Sequence, residues 1–432
     1  MPMSLHEGRV PIVDPSAAAA LGGALRREEP PSPALALGDG AARSRRTPTT
    51  EVLLSRLHVA QAEHPFWQNR LFRAASTGAL TRDDYAFIFS QYYLYAQSFT
   101  RYLAALMASC EDDLLRAALS ANLWEEGGQQ VLEKRHAELF RRFLRDGLGV
   151  DVDRIEYLDA TRFFAAEYLD FCRRAPPAAA SAFLSLGTEG IVPRMYGLFL
   201  DGLRKAGVGP EHTSFFQIHM ECDDAHAETL ERIMASYAGE PDWLATCQRA
   251  MDHALGLRAR FFEQLFESVV VRRVRPLLDS IQRQERGSAA PLDPSALVHR
   301  ADQRGSALYH NSDERLGIEF SVERLPFATE VFDARVLRVA PRKSNERHRH
   351  PHESVFHVIQ GRARVFVDSV SVEVGPGDVV FVPRWAHHRS ENISDEELTI
   401  LALTDFGLTE RAFIGDHLTP TRRKGTQAPR AR

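Results

Sequence analysis

Along this 432-residue chain the spacing of apolar residues changes from three-and-four to two, and the change falls close to residue 300. One packed unit does not accommodate both patterns, because a helix repeats every 3.6 residues and a strand every 2. Segments such as "DDYAFIFSQYYLYAQSFTRYLAALMAS", "HAELFRRFLRDGLG" and "WLATCQRAMDHALGLRARFFEQLFESVV" carry the helical spacing between about 50 and 285. Gly and Pro punctuate them near 147–149, 176–177, 207–210 and 239–241. After residue 312, "ARVLRVAP", "ESVFHVIQGRARVFV", "SVEVG", "DVVFVP" and "LTILALTD" alternate or run apolar between turns. The expected organisation is multidomain α + β. A disordered segment over 1–48 precedes an all-α bundle over 49–285, a linker over 286–312, a β-barrel over 313–416 and a disordered basic tail over 417–432.

The formal charge of −5 gives no argument for a nucleic-acid partner. Four cysteines, none spaced as a zinc or redox pair, are the reduced thiols expected of a cytoplasmic protein. No run approaches the roughly 18 apolar residues of a membrane span, and the N-terminus lacks a charged-then-apolar signal pattern. An arginine and alanine bias points to a GC-rich bacterial genome.

Chemistry concentrates in "LGTEGIVPRMYGLF" and "FFQIHMECDDAHAETL". On a helix, offsets of 0, +4 and +7 lie within roughly 40° of one line. His219, Asp223 and His226 therefore form a ladder along one face, while Glu221 and Asp224 fall on the far side and Cys222 points off the ladder. Imidazole and carboxylate together suit iron, manganese or zinc, and Asp223 between the histidines is placed to touch two ions. Glu189 adds a fourth ligand, and His136 in "ANLWEEGGQQVLEKRHAELFRRFL" is the obvious further imidazole. For the last carboxylate, Glu133 lies three residues before His136 on one helical face. Glu126 lies ten before it, across Gly127-Gly128, where helical phase alone places nothing. Tyr92, Tyr93, Tyr95 and Tyr102 with Phe99 read as one packed helix that could also wall a pocket.

Taken together, "NLWEEGG…H…LF", "LGTEG…P…Y" and "FFQIHMECDDAHAETL" resemble the heme-oxygenase-like di-iron oxidases, which keep the helical fold of heme oxygenase but use two iron ions. That resemblance covers roughly 50–285 and makes the carboxylate before the glycines a ligand. It implies Glu126, His136, Glu189, His219, Asp223 and His226 as ligands of two Fe(II), with O2 as cosubstrate, Glu133 as the runner-up and Glu125 as a neighbour. Some N-oxygenases of this group carry a further glutamate on the preceding helix; here Gln97 or Thr100 falls near that place. A heme oxygenase would instead need a proximal histidine, for which His58 and His64 are available. A thiaminase-like enzyme would need a nucleophilic cysteine that nothing here marks.

"HRHPHESVFHVIQG" and "GDVVFVPRWAHHRSEN" resemble the two motifs of a cupin, a double-stranded β-helix. His348, His350 and Gly361 fit the first, with Ser354 where glutamate is usual. Gly377, Pro383, His388 and Asn392 fit the second, with Trp385 in place of glycine. Strand alternation faces His348 and His350 the same way, and His388 arrives from a second strand. Those three histidines are the expected ligands of one Fe(II) or another divalent ion, with His352 as backup and His357 and His387 pointing elsewhere.

The fusion resembles N-nitrosourea synthases, whose helical domain hydroxylates nitrogen and whose cupin rearranges the product. The leading expectation is an O2-dependent oxygenase acting on nitrogen of a small amino-acid-derived metabolite, with the cupin processing what leaves it. Oxidative C–C or C–H cleavage is the alternative, and a non-enzymatic iron sensor or ligand-binding cupin protein the third. The expected partners are a small-molecule substrate, an external electron donor and a second copy in a homodimer, with neither nucleic acid nor membrane. Arg194 is a candidate to pair a substrate carboxylate.

Overall fold

The computed structural model describes residues 48–282, 297–300, 302–327 and 329–412, and the side chains of these except 48, 49 and 221–225. Of the segment expected over 1–48 only residue 48 is described, and it opens a helix, while the tail over 417–432 lies outside the described residues. The linker expected over 286–312 lies outside them only at 286–296 and 301, and its end is not linker: the first strand, Ser306–Asp313, begins the barrel earlier than residue 313.

Among the described residues, eleven helices come first. They are α1 (Pro48–Glu63), α2 (Arg70–Thr77), α3 (Arg82–Ala96), α4 (Phe99–Ser109), α5 (Asp113–Glu126), α6 (His136–Arg142), α7 (Asp159–Arg174), α8 (Pro177–Ser185), α9 (Val192–Lys205), α10 (Ser214–Ser236) and α11 (Trp243–Gln282). The aromatic run expected as one helix is two, because the chain breaks at Gln97 and Ser98. At the centre lies α8, "PAAASAFLS", buried from Ala178 to Ser185. A helix apolar on every side belongs inside a bundle, and α8 packs against α10 and α11. Gly187 makes the close approach possible: a Cβ there would lie 2.3 Å from Ala254 Cβ on α11. The chain then turns through Glu189 into α9.

Nine strands follow: β1 (Ser306–Asp313), β2 (Ile318–Arg324), β3 (Asp333–Val339), β4 (Ser354–Gln360), β5 (Ala363–Val367), β6 (Val370–Val374), β7 (Val379–Val382), β8 (His388–Asn392) and β9 (Leu398–Thr404), with α12 (Phe406–Ala412) after them. One sheet has the order β1-β2-β3-β9-β4-β7 and the other β6-β5-β8. All strand pairs are antiparallel, and β2, β5 and β9 show the alternation or apolar run the sequence predicts. Ile318, Phe320, Val339, Val358, Val365, Val382, Leu398 and Ile400 close the core between the sheets. This is a helical region followed by a two-sheet β-barrel, as the two periodicities imply, and the barrel has the cupin fold that the motifs' resemblance implies.

Candidate metal centres

Glu126 ends α5, which begins where the Asp112 carboxylate accepts from the Leu114 and Leu115 amides. Gly127 and Gly128 then reverse the chain. Gly128 has φ +79°, and a Cβ there would sit 2.5 Å from both Arg135 N and Val131 O. Only glycine fits so tight a return, and it brings His136, the first residue of α6, back beside Glu126. His136 Nδ1 stands 2.9 Å from Glu126 Oε2, yet without the alignment of a hydrogen bond. Glu133, in a short 3-10 turn before α6, is exposed, so the Glu-x-x-His pairing does not form: the helix starts only at His136.

His219 and His226 face inward from α10, 7% and 2% exposed. Each ring is fixed by its other nitrogen. His219 Nδ1 lies 2.7 Å from Phe215 O; a carbonyl only accepts, so the proton sits on Nδ1 and Nε2 keeps its lone pair. His226 Nε2 faces Glu125 Oε2 at 3.2 Å, which leaves Nδ1 to face Glu126 Oε1 at 3.7 Å. Two overlapping donor sets result: Glu126, His136 and His219, and Glu126, Glu189 and His226, each with ligand atoms within 4.8 Å of one another. Glu126 is common to both, the sharing role that spacing alone gave to Asp223. Asp223 lies on α10, and its side chain is outside the described residues.

The electrostatics ask for a cation. Glu126 and Glu189 are 4% and 3% exposed. In the metal-free protein burial, then the charge of Glu126, pushes the Glu189 carboxyl well above its usual range. Burial alone would raise Glu126 too, but His136, His219 and His226 hold it below the ordinary value. Burial opposes the charged form of His136, and Glu126 more than reverses that. His219 is lowered to about 4, chiefly by burial. Glu126 Oε1, His136 Nδ1 and His226 Nδ1 are buried without hydrogen-bond partners among the described residues. Two carboxylates and three imidazoles, with lone pairs converging and unsatisfied, fit iron, manganese or zinc.

A narrow cavity reaches this cluster, lined by Tyr92, Tyr95, Ala96, Phe99, Glu126, His136, Thr188, Glu189, Val192, Tyr196, Phe215, His219 and Arg258. Tyr92 and Tyr95 are thus both core and wall. Neither Gln97 nor Thr100 lines the cavity, and aromatic rings occupy that wall. His58, bonded to Glu231 at 2.7 Å, and His64, which accepts from the Phe66 amide at 3.0 Å, lie elsewhere, so neither serves as a proximal heme ligand here. Arg194 stacks on Trp67 at 3.9 Å and donates to Ala62 O at 3.1 Å, away from the cavity. The arginine at the cavity is Arg258, which sequence reasoning missed; its signal is a position in phase with the apolar residues Leu255, Phe261 and Phe262 of "ALGLRARFFEQLF", three and four residues away.

In the barrel, His348, His350 and His388 bring ligand atoms within 4.8 Å of one another. His348 and His350 do not lie in a strand, as alternation suggested, but in an extended segment before β4. Paired backbone bonds between His348 and His388, 3.0 and 2.8 Å long, tie that segment to β8. The Nδ1 atoms of His348, His350 and His388 face Glu346 O, His352 O and Ala386 O at 2.9, 3.1 and 3.0 Å. With Nδ1 protonated toward a carbonyl, each ring keeps its lone pair on Nε2 for a metal ion. Burial, and then neighbouring imidazoles, lowers His350 and His388 to about 3, so both are neutral ligands at ordinary pH. His352 is outside the set: its Nδ1 contacts Thr409 and its ring packs 4.7 Å from Phe406 on α12. Ser354, where glutamate is usual, is buried on β4.

Comparisons with known proteins match both domains. Residues 87–259 match the family described as iron-containing redox enzyme, and residues 335–404 match the cupin domain. A 4-aminobenzoate synthase of Chlamydia pneumoniae is 26% identical over 44% of this chain and 82% of its own length. A 4-chloro-allylglycine synthase of Streptantibioticus cattleyicolor is 25% identical over 48% and 78%. A gentisate 1,2-dioxygenase of a Streptomyces species is 30% identical over 21% of this chain and 26% of its own. No helix among the described residues is long and apolar enough to cross a membrane. The chain carries an iron-containing redox enzyme domain followed by a C-terminal cupin domain.

Proposed function

We propose that the helical domain is a non-heme di-iron oxidase that uses O2 on a small amino-acid-derived metabolite, with oxygenation of nitrogen as the first reading, and that the cupin binds its own Fe(II) or other divalent ion and processes the product. The observation that carries the first part is the membership of Glu126 in both donor sets, since two neighbouring ions need a carboxylate between them. Glu126, His136 and His219 would hold one ion and Glu126, Glu189 and His226 the other, with Asp223 on the same helix as the sixth ligand. Bound there, the ions supply the reduction of O2. The chain's own residues position the ligands, exclude water through the aromatic wall of Tyr92, Tyr95 and Phe99, and orient the substrate. Placing one oxygen atom in an N–H bond and releasing the other as water takes two electrons and two protons, which an external donor provides. The same reading has the chain act as a homodimer.

Oxidative C–C or C–H cleavage is the second reading, and two observations favour it. The relatives named above are synthases of 4-aminobenzoate and 4-chloro-allylglycine, and neither name is that of an N-oxygenated product. The cavity wall from α3 and α4 also carries no carboxylate.

Anaerobic loading with Fe(II) followed by O2 tests the proposal. The expected result is about two irons in the helical domain and an absorption change that depends on O2. Bound iron whose spectrum ignores O2 would leave only a sensor or ligand-binding role. Product mass then separates the readings: N-oxygenation adds the mass of one oxygen atom, C–C cleavage removes carbon, and C–H cleavage by desaturation removes two hydrogens.

A further inference from the structure

Glu346 lies two residues before His348 in the extended segment that carries two of the cupin histidines, and alternation puts both side chains on one side. It is 6% exposed and stands outside the three-histidine donor set. Its Oε1 accepts from Asn311 Nδ2 on β1, opposite the core residue Phe320, so the carboxylate lies inside the barrel. Asn311 is a neutral amide, and Glu346 Oε2 is buried with no hydrogen-bond partner among the described residues. Ser390, on β8 two residues past His388, is fully buried, and its Oγ also has no partner among them. The Asn345 amide donates to Ser390 O at 3.1 Å, and Asn345 Oδ1 accepts from the Ser390 amide at 2.6 Å. Those two bonds fix the Glu346 segment against β8. A buried carboxylate is costly unless something pairs it, and the metal ligands leave this one unused.

We propose that Glu346, with Ser390, receives the ammonium group of the cupin's ligand, whose other end meets the ion held by His348, His350 and His388. The inference rests on reading the barrel as a metal-binding domain that processes a product. Two residues of extended chain span about 7 Å, so the ligand carries its ammonium a short methylene chain away from its metal-binding end. An α-amino acid is too short for that, because its two polar groups share one carbon. The free acceptors also decide between cations. A guanidinium prefers both oxygens of a carboxylate in a parallel fork, and Oε1 is already taken by Asn311. An ammonium is a compact charge with three separate donors, which suits one carboxylate oxygen and one hydroxyl. The ligand class is a small primary amine that also bears a metal-binding group.

The test is calorimetric titration of the anaerobic Fe(II)-loaded full chain with 4-aminobutyrate and with pentanoate, in which a methyl group replaces the ammonium. The expected result is at least about tenfold tighter binding of 4-aminobutyrate, with that preference gone in Glu346→Gln. Equal binding of the pair in the wild type overturns the proposal and leaves Glu346 to a structural water. A preference that survives in Glu346→Gln overturns it too. Tighter binding of 4-guanidinobutyrate than of 4-aminobutyrate overturns the choice of an ammonium. If circular dichroism shows Glu346→Gln unfolded, His350→Ala with His388→Ala takes its place. Loss of the preference with the cupin ion then supports the site, and survival places the binding outside the barrel and overturns it. Iron content is measured on every sample, so a cupin that takes up no metal, which would sink the reading beneath the proposal, is seen separately from failure to prefer the amine.

Discussion

Glu125 Oε2 lies 3.2 Å from His226 Nε2 and so decides which nitrogen of that ring faces the Glu126 cluster. Adjacent carboxylates thus meet opposite edges of one imidazole, with Glu126 3.7 Å from Nδ1. Orienting partners of this kind typically change metal affinity by roughly tenfold to a hundredfold. Glu125→Ala is expected to weaken retention of one iron by that order, read by competition with a chelator. Retention equal to wild type would show that the ring is held by packing alone.

The shared position of Glu126 predicts an asymmetry among ligand variants. Glu126→Ala should lose both helical-domain irons, whereas Glu189→Ala or His219→Ala should lose about one of about two. Asp223→Ala is expected to leave one or fewer. Metal analysis checks all four. Equal losses in the Glu126 and Glu189 variants would remove the bridging assignment.

His350→Ala with His388→Ala should lower total metal by about one ion while sparing the helical domain. Product analysis then shows whether a second step is lost. Full product yield would reduce the barrel to a structural role.

Metal-free protein should lose stability in acid, and the sign follows from the depressed imidazoles. His219 titrates at about 4, and His350 and His388 at about 3, when folded, against 6.5 in the unfolded chain. Between those values the unfolded chain binds more protons, so their contribution is present above pH 6.5 and is lost as pH falls toward 4 and then 3. Thermal melts of the metal-free chain from pH 7 to 4 measure it. His136 and Glu189, both raised when folded, act in the opposite direction, so the loss is read against the His350→Ala, His388→Ala chain, and equal acid dependence of the two would contradict the burial of the cupin rings.

Gly187→Ala tests how α8 reaches α11. With 2.3 Å available to the new methyl group, overpacking should cost about 1–3 kcal/mol. The melting temperature should fall, and iron retention with it, because Glu189 lies two residues on. An unchanged melt would mean that α11 moves aside freely.

Much of this was legible in the residues. Periodicity separated bundle from barrel, and the 0, +4, +7 spacing put His219 and His226 on one face, because both signals are local and repeat. What escaped was set by chain path. Helical phase does not cross Gly127-Gly128, so Glu126 needed family resemblance to be preferred over Glu133. The extended run holding His348 and His350 mimics a strand in sequence, since parity is the same whether or not neighbours bond along its length. His352 shares that parity yet is drawn away by Thr409 and Phe406, residues more than fifty positions later. Arg258 carries no mark in the sequence beyond its phase, and only the convergence of Tyr92, Tyr95 and Tyr168 from two other helices makes it an interior cation.

Each cupin imidazole is oriented by a main-chain oxygen of Glu346, His352 or Ala386 rather than by another side chain. The coordination frame of the barrel is therefore encoded in how the backbone runs. Side chains around its mouth are left at liberty to diverge for new substrates without disturbing the ion beneath them.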